Sequence, residues 1–266
     1  MSQITTYQPG TPSWVDLGSP DLDASVEFYG ALFDWDVPEP ENAEQTGGYR
    51  QAMRSDKPVG GMMPLMQEGQ PTAWTTYISV EDADATAAAV KGAGGNVMAE
   101  PMDVMDLGRM AIFVDPTGAV FGIWQPGTFA GAGLVNEPGA ISWNELNTRD
   151  LDAAKAFYGA VFGWTFEDQD MGEMGSYTTI KLGENMVGGI LNMAEREVPE
   201  EVPAHWQVYF AVDDADATID AAKQRGGSVM VEPTDIPAGR FSILTDPHGA
   251  SFAVIALSDQ AMEEMP

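Results

Sequence analysis

Two short stretches place an acid two residues after a tryptophan: Trp14-Val15-Asp16 and Trp143-Asn144-Glu145. On an extended strand the tryptophan and the acid share a face. A carboxylate beside an indole ring loses solvation, its pKa rises, and it becomes suited to taking a proton near neutral pH. Asp16 and Glu145 are therefore candidate catalytic bases; the alternative is a rim carboxylate in water or paired with arginine. His205, Gln207 and Tyr209 alternate onto one face of another strand, where an imidazole could serve as an acid–base group. Arg109 and Arg240 follow Gly108 and Gly239 in matching contexts, and each would either clamp an anion, pair with those acids or form a structural salt bridge. Trp14, Tyr77, Trp124, Trp143 and Tyr209 would supply the aromatic wall of a small-molecule pocket or, more simply, core packing.

The elements that carry these residues are written twice. Trp14–Trp35 and Trp143–Trp164 share 12 of 22 positions at an offset of 129. Val59-Gly60-Gly61 recurs as Val187-Gly188-Gly189, Trp74–Thr86 as Trp206–Thr218, and Asp115-Pro116-Thr117-Gly118-Ala119 as Asp246-Pro247-His248-Gly249-Ala250. A repeat of this length is a domain rather than a solenoid unit. The expected domains are residues 1–130 and 131–266, joined through the Gly-rich stretch Phe129–Gly139. Within each half the same signals come in order. A strand (Thr11–Leu17) leads to an amphipathic helix (Asp23–Phe33) and a hairpin-like pair of strands (Gly48–Met53 and Val59–Leu65). A second strand (Trp74–Val80), an Ala-rich helix stopped by glycines (Asp82–Lys91) and three short strands follow. The fold class is α+β: four βαβββ modules forming two paired domains of curved antiparallel sheet, with helices on one face and a cup on the other. The tail after Leu257 reads as frayed.

Composition narrows the partners. There is no cysteine, which excludes disulfides, thiolate metal sites and a cysteine nucleophile. The first residues carry neither a basic nor an apolar leader and no long apolar run occurs, so a soluble, cytoplasmic protein with no membrane partner is expected. With 41 acidic residues against 12 basic and a formal charge of −29, nucleic acid is an unsuitable partner, because phosphate binding relies on lysine and arginine. No dinucleotide fingerprint, Walker pattern or Ser-His-Asp arrangement is present.

The strand–Asp–helix–Phe-Tyr run closed by Phe-x-Trp, the Trp-x₂-Tyr-x₂-Val strand and the Asp-Pro-x-Gly-Ala turn resemble the vicinal oxygen chelate superfamily of glyoxalase I, bleomycin-resistance proteins and extradiol dioxygenases. The likeness covers about Thr11 to Leu257 in two copies and is greatest to tandem, actinobacterial-type members labelled hydroxylases or glyoxalases. It implies metal ligands at three places per half: seven residues before the Asp that opens each helix, and seven after the Asp of the turn. Here those places hold Trp14, Thr75 and Gly122, and then Trp143, Gln207 and Ala253. Only Gln207 is a ligand type, so the usual metal triad is absent and no cofactor is expected. A displaced site built from Asp16 or Glu145 with Gln207 and His205 is the remaining metal alternative.

The expected function is binding of a small, partly apolar organic molecule in a sheet-lined cup. The alternative is a glyoxalase- or lyase-type enzyme whose Asp16 or Glu145 takes a proton next to a carbonyl. Ala73 and Thr75 stand where the second half has His205 and Gln207; if only one cup is active, this difference points to the second half. The tandem supplies its own module pairing, so either a monomer or a homodimer is consistent with it. The dispersed acids predict salt adaptation, because self-repulsion is screened over about 10 Å at 0.1 M and about 3 Å at 1 M salt. The melting temperature is expected to rise between dilute buffer and molar salt; a flat response would contradict it.

Overall fold

The computed structural model describes residues 4–40, 43–67, 69–172 and 175–264. The first half runs β1 (Pro12–Ser19), α1 (Leu22–Phe33), α2 (Ala43–Thr46), β2 (Arg50–Arg54), β3 (Lys57–Pro64), β4 (Ala73–Ser79), α3 (Ala83–Gly92), β5 (Asn96–Val104), β6 (Gly108–Val114) and β7 (Val120–Pro126). The second runs β8 (Ile141–Thr148), α4 (Leu151–Phe162), β9 (Thr165–Asp170), β10 (Ser176–Leu182), β11 (Asn185–Asn192), β12 (His205–Ala211), α5 (Ala215–Gln224), β13 (Ser228–Ile236), β14 (Gly239–Thr245), β15 (Ser251–Leu257) and α6 (Asp259–Glu264). The four long helices begin alike: Asp21, Asp82, Asp150 and Asp214 each accept a bond from a first-turn backbone N–H.

The strands form a seven-stranded sheet, β2-β3-β1-β4-β7-β6-β5, and an eight-stranded sheet, β13-β14-β15-β12-β8-β11-β10-β9. Both are mixed rather than wholly antiparallel. The pairs β1–β3, β4–β7, β8–β11 and β12–β15 are parallel. In each module the helix carries the chain back to the start of the sheet, so the last strand of the module lies parallel to the first. Among the described residues the first module has no strand matching β9; a bridge between Asp36 and Met53 stands in its place. The tail expected to fray forms α6 over Asp259–Glu264 with Ala261 buried, and residues 265–266 lie outside the described residues.

Strand alternation sends Val15 and Leu17 to the helical face and Trp14 and Asp16 to the opposite, cup face. The helical faces meet each other. The core around Phe28, Tyr29, Phe33 and Trp74 of the first half includes Phe210, Ile219 and Phe252 of the second, while Phe157, Tyr158 and Trp206 share a core with Phe113, Phe121 and Ile123. Each of the four long helices thus shares a core with the other half. No helix is long and apolar enough to cross a membrane.

Two equivalent polar clusters close these cores. The Tyr29 hydroxyl donates to Asp246 Oδ2 (3.1 Å) and accepts from Trp74 Nε1 (3.1 Å). Reciprocally, the Tyr158 hydroxyl donates to Asp115 Oδ2 (3.0 Å) and accepts from Trp206 Nε1 (2.9 Å). The other oxygen of each aspartate ties its own turn, Asp115 through the N–H groups of Thr117 and Ala119, Asp246 through those of His248 and Ala250. Trp35 and Trp164 add crossed bonds to the carbonyls of Gly139 and Gly10. Tyr29→Phe and Tyr158→Phe each leave a buried indole N–H without its acceptor. Each is expected to lower stability by about 1–3 kcal/mol in urea denaturation; a loss below about 0.5 kcal/mol would show that the cluster adds nothing.

Candidate functional site

The cup of the first half is built on β1 and β4, where Trp14 lies opposite Tyr77 and Asp16 opposite Thr75. Asp16 is 6% exposed. Burial pushes its carboxyl up to about 7, and a hydrogen bond from Tyr77 offsets part of that effect. Trp14 Nε1 donates to the Tyr49 hydroxyl at 2.8 Å; burial first, and the charge of Asp16 second, raise the phenol of Tyr49. The second cup repeats the plan on β8 and β12, with Trp143 opposite Tyr209 and Glu145 opposite Gln207. Glu145 is 4% exposed and accepts from Tyr209 at 3.1 Å. Its carboxyl is also raised, first by burial, against the lowering effects of Tyr177, Tyr209, Asn147 and Arg196. Trp143 Nε1 donates to the Tyr177 hydroxyl at 2.9 Å.

Each cup therefore holds a buried carboxylate bounded by a tryptophan and two tyrosines. Glycine makes room for them. A Cβ at Gly61 would overlap the Tyr49 hydroxyl, and one at Gly189 would overlap that of Tyr177. Tyr49 and Tyr177 are not visible as candidates from the motifs of the repeat. They correspond at the offset of 128 that also relates Val59 to Val187.

The other expected residues are placed differently. Trp124 belongs to the first cup, bonded through Nε1 to the Phe129 carbonyl (2.8 Å). Arg109 binds Asp84 and Asp103, and Arg240 binds Asp216 and Asp235. Met110, beside Arg109, pairs with the cup residue Trp124, and Phe241, beside Arg240, packs on Tyr209, so alternation turns both arginines to the helical face. They are surface salt bridges tying helix to sheet, not partners of Asp16 or Glu145. His205 shares the Glu145 face at the end of β12, but its Nδ1 lies 2.9 Å from the Pro203 carbonyl and burial lowers its pKa. Gln207 is 1% exposed; it accepts from Ser251 Oγ (2.7 Å) and donates to the Val208 carbonyl (3.3 Å).

These contacts bear on the metal question. Trp14, Thr75 and Gly122 sit in neighbouring registers on β1, β4 and β7 but offer no set of ligands, and the same holds for Trp143, Gln207 and Ala253. The displaced alternative does not assemble either, since Gln207 and His205 are engaged elsewhere. Among the described residues no three His, Asp or Glu side chains converge as a metal site. The donor set present does not fit the family's metal. Two cavities of about 140 and 400 Å³ lie outside the cups, one beside the linker at Asn136 and Pro138, the other between the Pro116–Gly118 turn and Arg149.

Comparison with known proteins agrees with this architecture. The model of the Glyoxalase/Bleomycin resistance protein/Dioxygenase superfamily matches residues 11–123 and again 140–254. The protein named "Putative glyoxylase CFP32" of Mycobacterium tuberculosis (strain CDC 1551 / Oshkosh) is 43% identical over 98% of this chain and 100% of its own length. The anthracycline biosynthesis protein DnrV of Streptomyces peucetius is 40% identical, covering 96% of each chain. Among solved structures, the Mn(II)-bound glyoxalase from Novosphingobium aromaticivorans shares the fold with a TM-score of 0.65 and 19% identity over 97% of this chain and 84% of that one. The 2,3-dioxygenase LapB from Pseudomonas sp. KL28 does so with a TM-score of 0.65 and 14% identity over 94% and 93%.

The raised carboxyl of Asp16 has a consequence for stability. Unfolded, the group titrates near 3.8; folded, near 7. The protonated form is favoured by the fold, so its contribution is full below the unfolded value and is lost as pH rises from about 4 through 7. Asp16→Asn removes that loss. It is expected to stabilise the protein at pH 8 by on the order of 2 kcal/mol more than at pH 5 in urea denaturation. An equal effect at both pH values would contradict the assignment.

Proposed function

This chain belongs to the glyoxalase/bleomycin resistance/dioxygenase superfamily, and from that premise we propose that it binds a small, partly apolar organic molecule in a sheet-lined cup without the usual metal triad. The observation that carries the reading is the pair of Trp–Tyr–carboxyl–Tyr groups, Trp14/Tyr49/Asp16/Tyr77 and Trp143/Tyr177/Glu145/Tyr209. Such a group offers indole and phenol surface for an apolar body. A neutral carboxyl and two hydroxyls can then fix one or two polar atoms by hydrogen bonds. The likeness to DnrV, an anthracycline biosynthesis protein 40% identical to this chain, makes a polycyclic aromatic ketone a suitable probe.

A second reading rests on the carboxyl of Asp16, held at about 7 beside the Tyr77 hydroxyl. In its ionised form Asp16 takes the proton from the carbon next to a substrate carbonyl. The electron pair moves to the carbonyl oxygen, and Tyr77 donates to the resulting enolate. The proton is then returned to the neighbouring carbon, which isomerises a 2-oxoaldehyde-derived adduct without oxidant or metal. The name glyoxylase carried by the 43% identical relative supports testing it.

One experiment separates the two. The purified protein is titrated with an anthraquinone while tryptophan fluorescence is followed, and a 2-oxoaldehyde thiol adduct is assayed in parallel. Binding predicts saturable quenching and no turnover. Turnover reduced at least about 100-fold by Asp16→Asn or Glu145→Gln, the scale of a lost general base, would establish the enzyme instead.

A further inference from the structure

The two cups differ at the mouth. In the first, the linker residue Phe129 lies edge-on against Trp14 (centroids 5.0 Å, 88°) and Trp124 (6.0 Å, 73°), and Trp14 is 5% exposed. The position after β15 that corresponds to Phe129 carries Gln260, which has no ring to lay over Trp143, and Trp143 is only half-buried. Around it Ile236, Phe241, Ile243 and Leu257 form a half-buried apolar wall on Tyr209.

The second cup also has a cation that the first lacks. Between Gly189 and Trp206 the chain is four residues longer than between Gly61 and Trp74, and this longer segment contains Arg196, whereas residues 62–73 contain no basic residue. Arg196 leans on the start of β10, with a long bond from its guanidinium to the Ser176 carbonyl (3.5 Å), next to Tyr177. Its Nε is buried and has no hydrogen-bond partner. The neighbouring Glu195 is taken up by the N–H and hydroxyl of Ser176 and by Asn192, and no carboxylate among the described residues forms an ion pair with Arg196. Burial raises the Glu145 carboxyl, and the charge of Arg196 is among the smaller effects that lower it. A buried guanidinium N–H without an acceptor is unfavourable, and an oxygen arriving at the mouth would relieve it.

Resting on the binding reading above, we propose that the second cup is the ligand site and that Arg196 is its specificity-determining residue, selecting an apolar molecule that carries an anionic oxygen. The surrounding charge of −29 repels such a ligand at long range. A local guanidinium with an uncommitted donor supplies the attraction that the rest of the surface does not. The first cup, capped by Phe129 and without a comparable cation, is the structural partner.

The test uses the full chain and two probes of similar body, anilinonaphthalene sulfonate (anionic) and N-phenylnaphthylamine (uncharged), titrated at fixed ionic strength with circular dichroism to check folding. Arg196→Gln is expected to weaken the anionic probe about tenfold while leaving the uncharged one unchanged. Trp143→Phe should remove most of the probe-induced fluorescence quenching, and Trp14→Phe should not. If Arg196→Gln does not fold, Arg196→Lys, which keeps the charge but loses Nε, is expected to weaken the anionic probe selectively in the same direction. Quenching that follows Trp143 while both probes lose equally, or not at all, in the arginine variants would overturn the role of Arg196 and leave the binding reading standing. Quenching that follows Trp14 would overturn the choice of cup. Failure of a folded wild-type chain to bind either probe would overturn the binding reading and this inference with it.

Discussion

A phenol of one half bonded to the turn aspartate of the other is the interaction on which the remaining structure depends. Tyr29 meets Asp246 and Tyr158 meets Asp115, and each pair is buried with an indole N–H as third member. Because the two clusters are reciprocal, neither half gives Oδ2 of its turn aspartate a donor, or its tyrosine hydroxyl an acceptor, without the other. The aromatic faces of α1 and α4 pack on their own sheets and are completed by residues crossing from the other half. Removing those faces from water supplies the apolar drive for association, and the aspartates fix its register. Docking by the helical faces leaves both cup faces turned away from the interface.

In the cups the controlling constraint is a carboxyl taken out of water with little cationic help. Asp16 and Glu145 meet tyrosine hydroxyls, and burial outweighs those bonds in both. The tyrosines reach them because Gly61 and Gly189 leave the space that any side chain would fill. The metal-ligand positions of the family are taken by groups that pack or bond internally. The framework is retained, and the polar groups it brings together in the cups are hydroxyls and carboxyls. The halves then diverge at the edges, with Phe129 over one cup and Arg196 beside the other.

Much of this was legible in the residues. The offset of 129 exposes the duplication, Asp capping residues and glycine stops mark the helices, and period-two alternation puts Trp and acid on a common face. The parallel pairs were not legible, because alternation is the same for either strand direction and only the crossover helix decides it. The same rule applied one step further would have turned Arg109 and Arg240 away from the cups: each lies next to a cup-facing residue, Met110 or Phe241. Tyr49 and Tyr177 escaped notice because no motif surrounds them and a one-residue change of offset separates them from the Trp14–Trp35 match. The interlock was hidden for a deeper reason. A contact spanning 217 residues in Tyr29–Asp246 leaves no local pattern, so recurrence of the turn aspartate reads as turn chemistry alone.

Whether these cups hold buried, tyrosine-bounded carboxyls is read most directly from the infrared carbonyl absorption of the protein in heavy water. A protonated carboxylic acid absorbs apart from carboxylates and from the amide band, so a buried neutral acid is read individually against a background of ionised surface acids. At mildly acidic pH, above the titration of the exposed carboxylates, the account predicts carboxylic acid bands that disappear selectively in Asp16→Asn and Glu145→Gln. A folded protein with no such band at that pH, or with a band unaffected by either substitution, would contradict it.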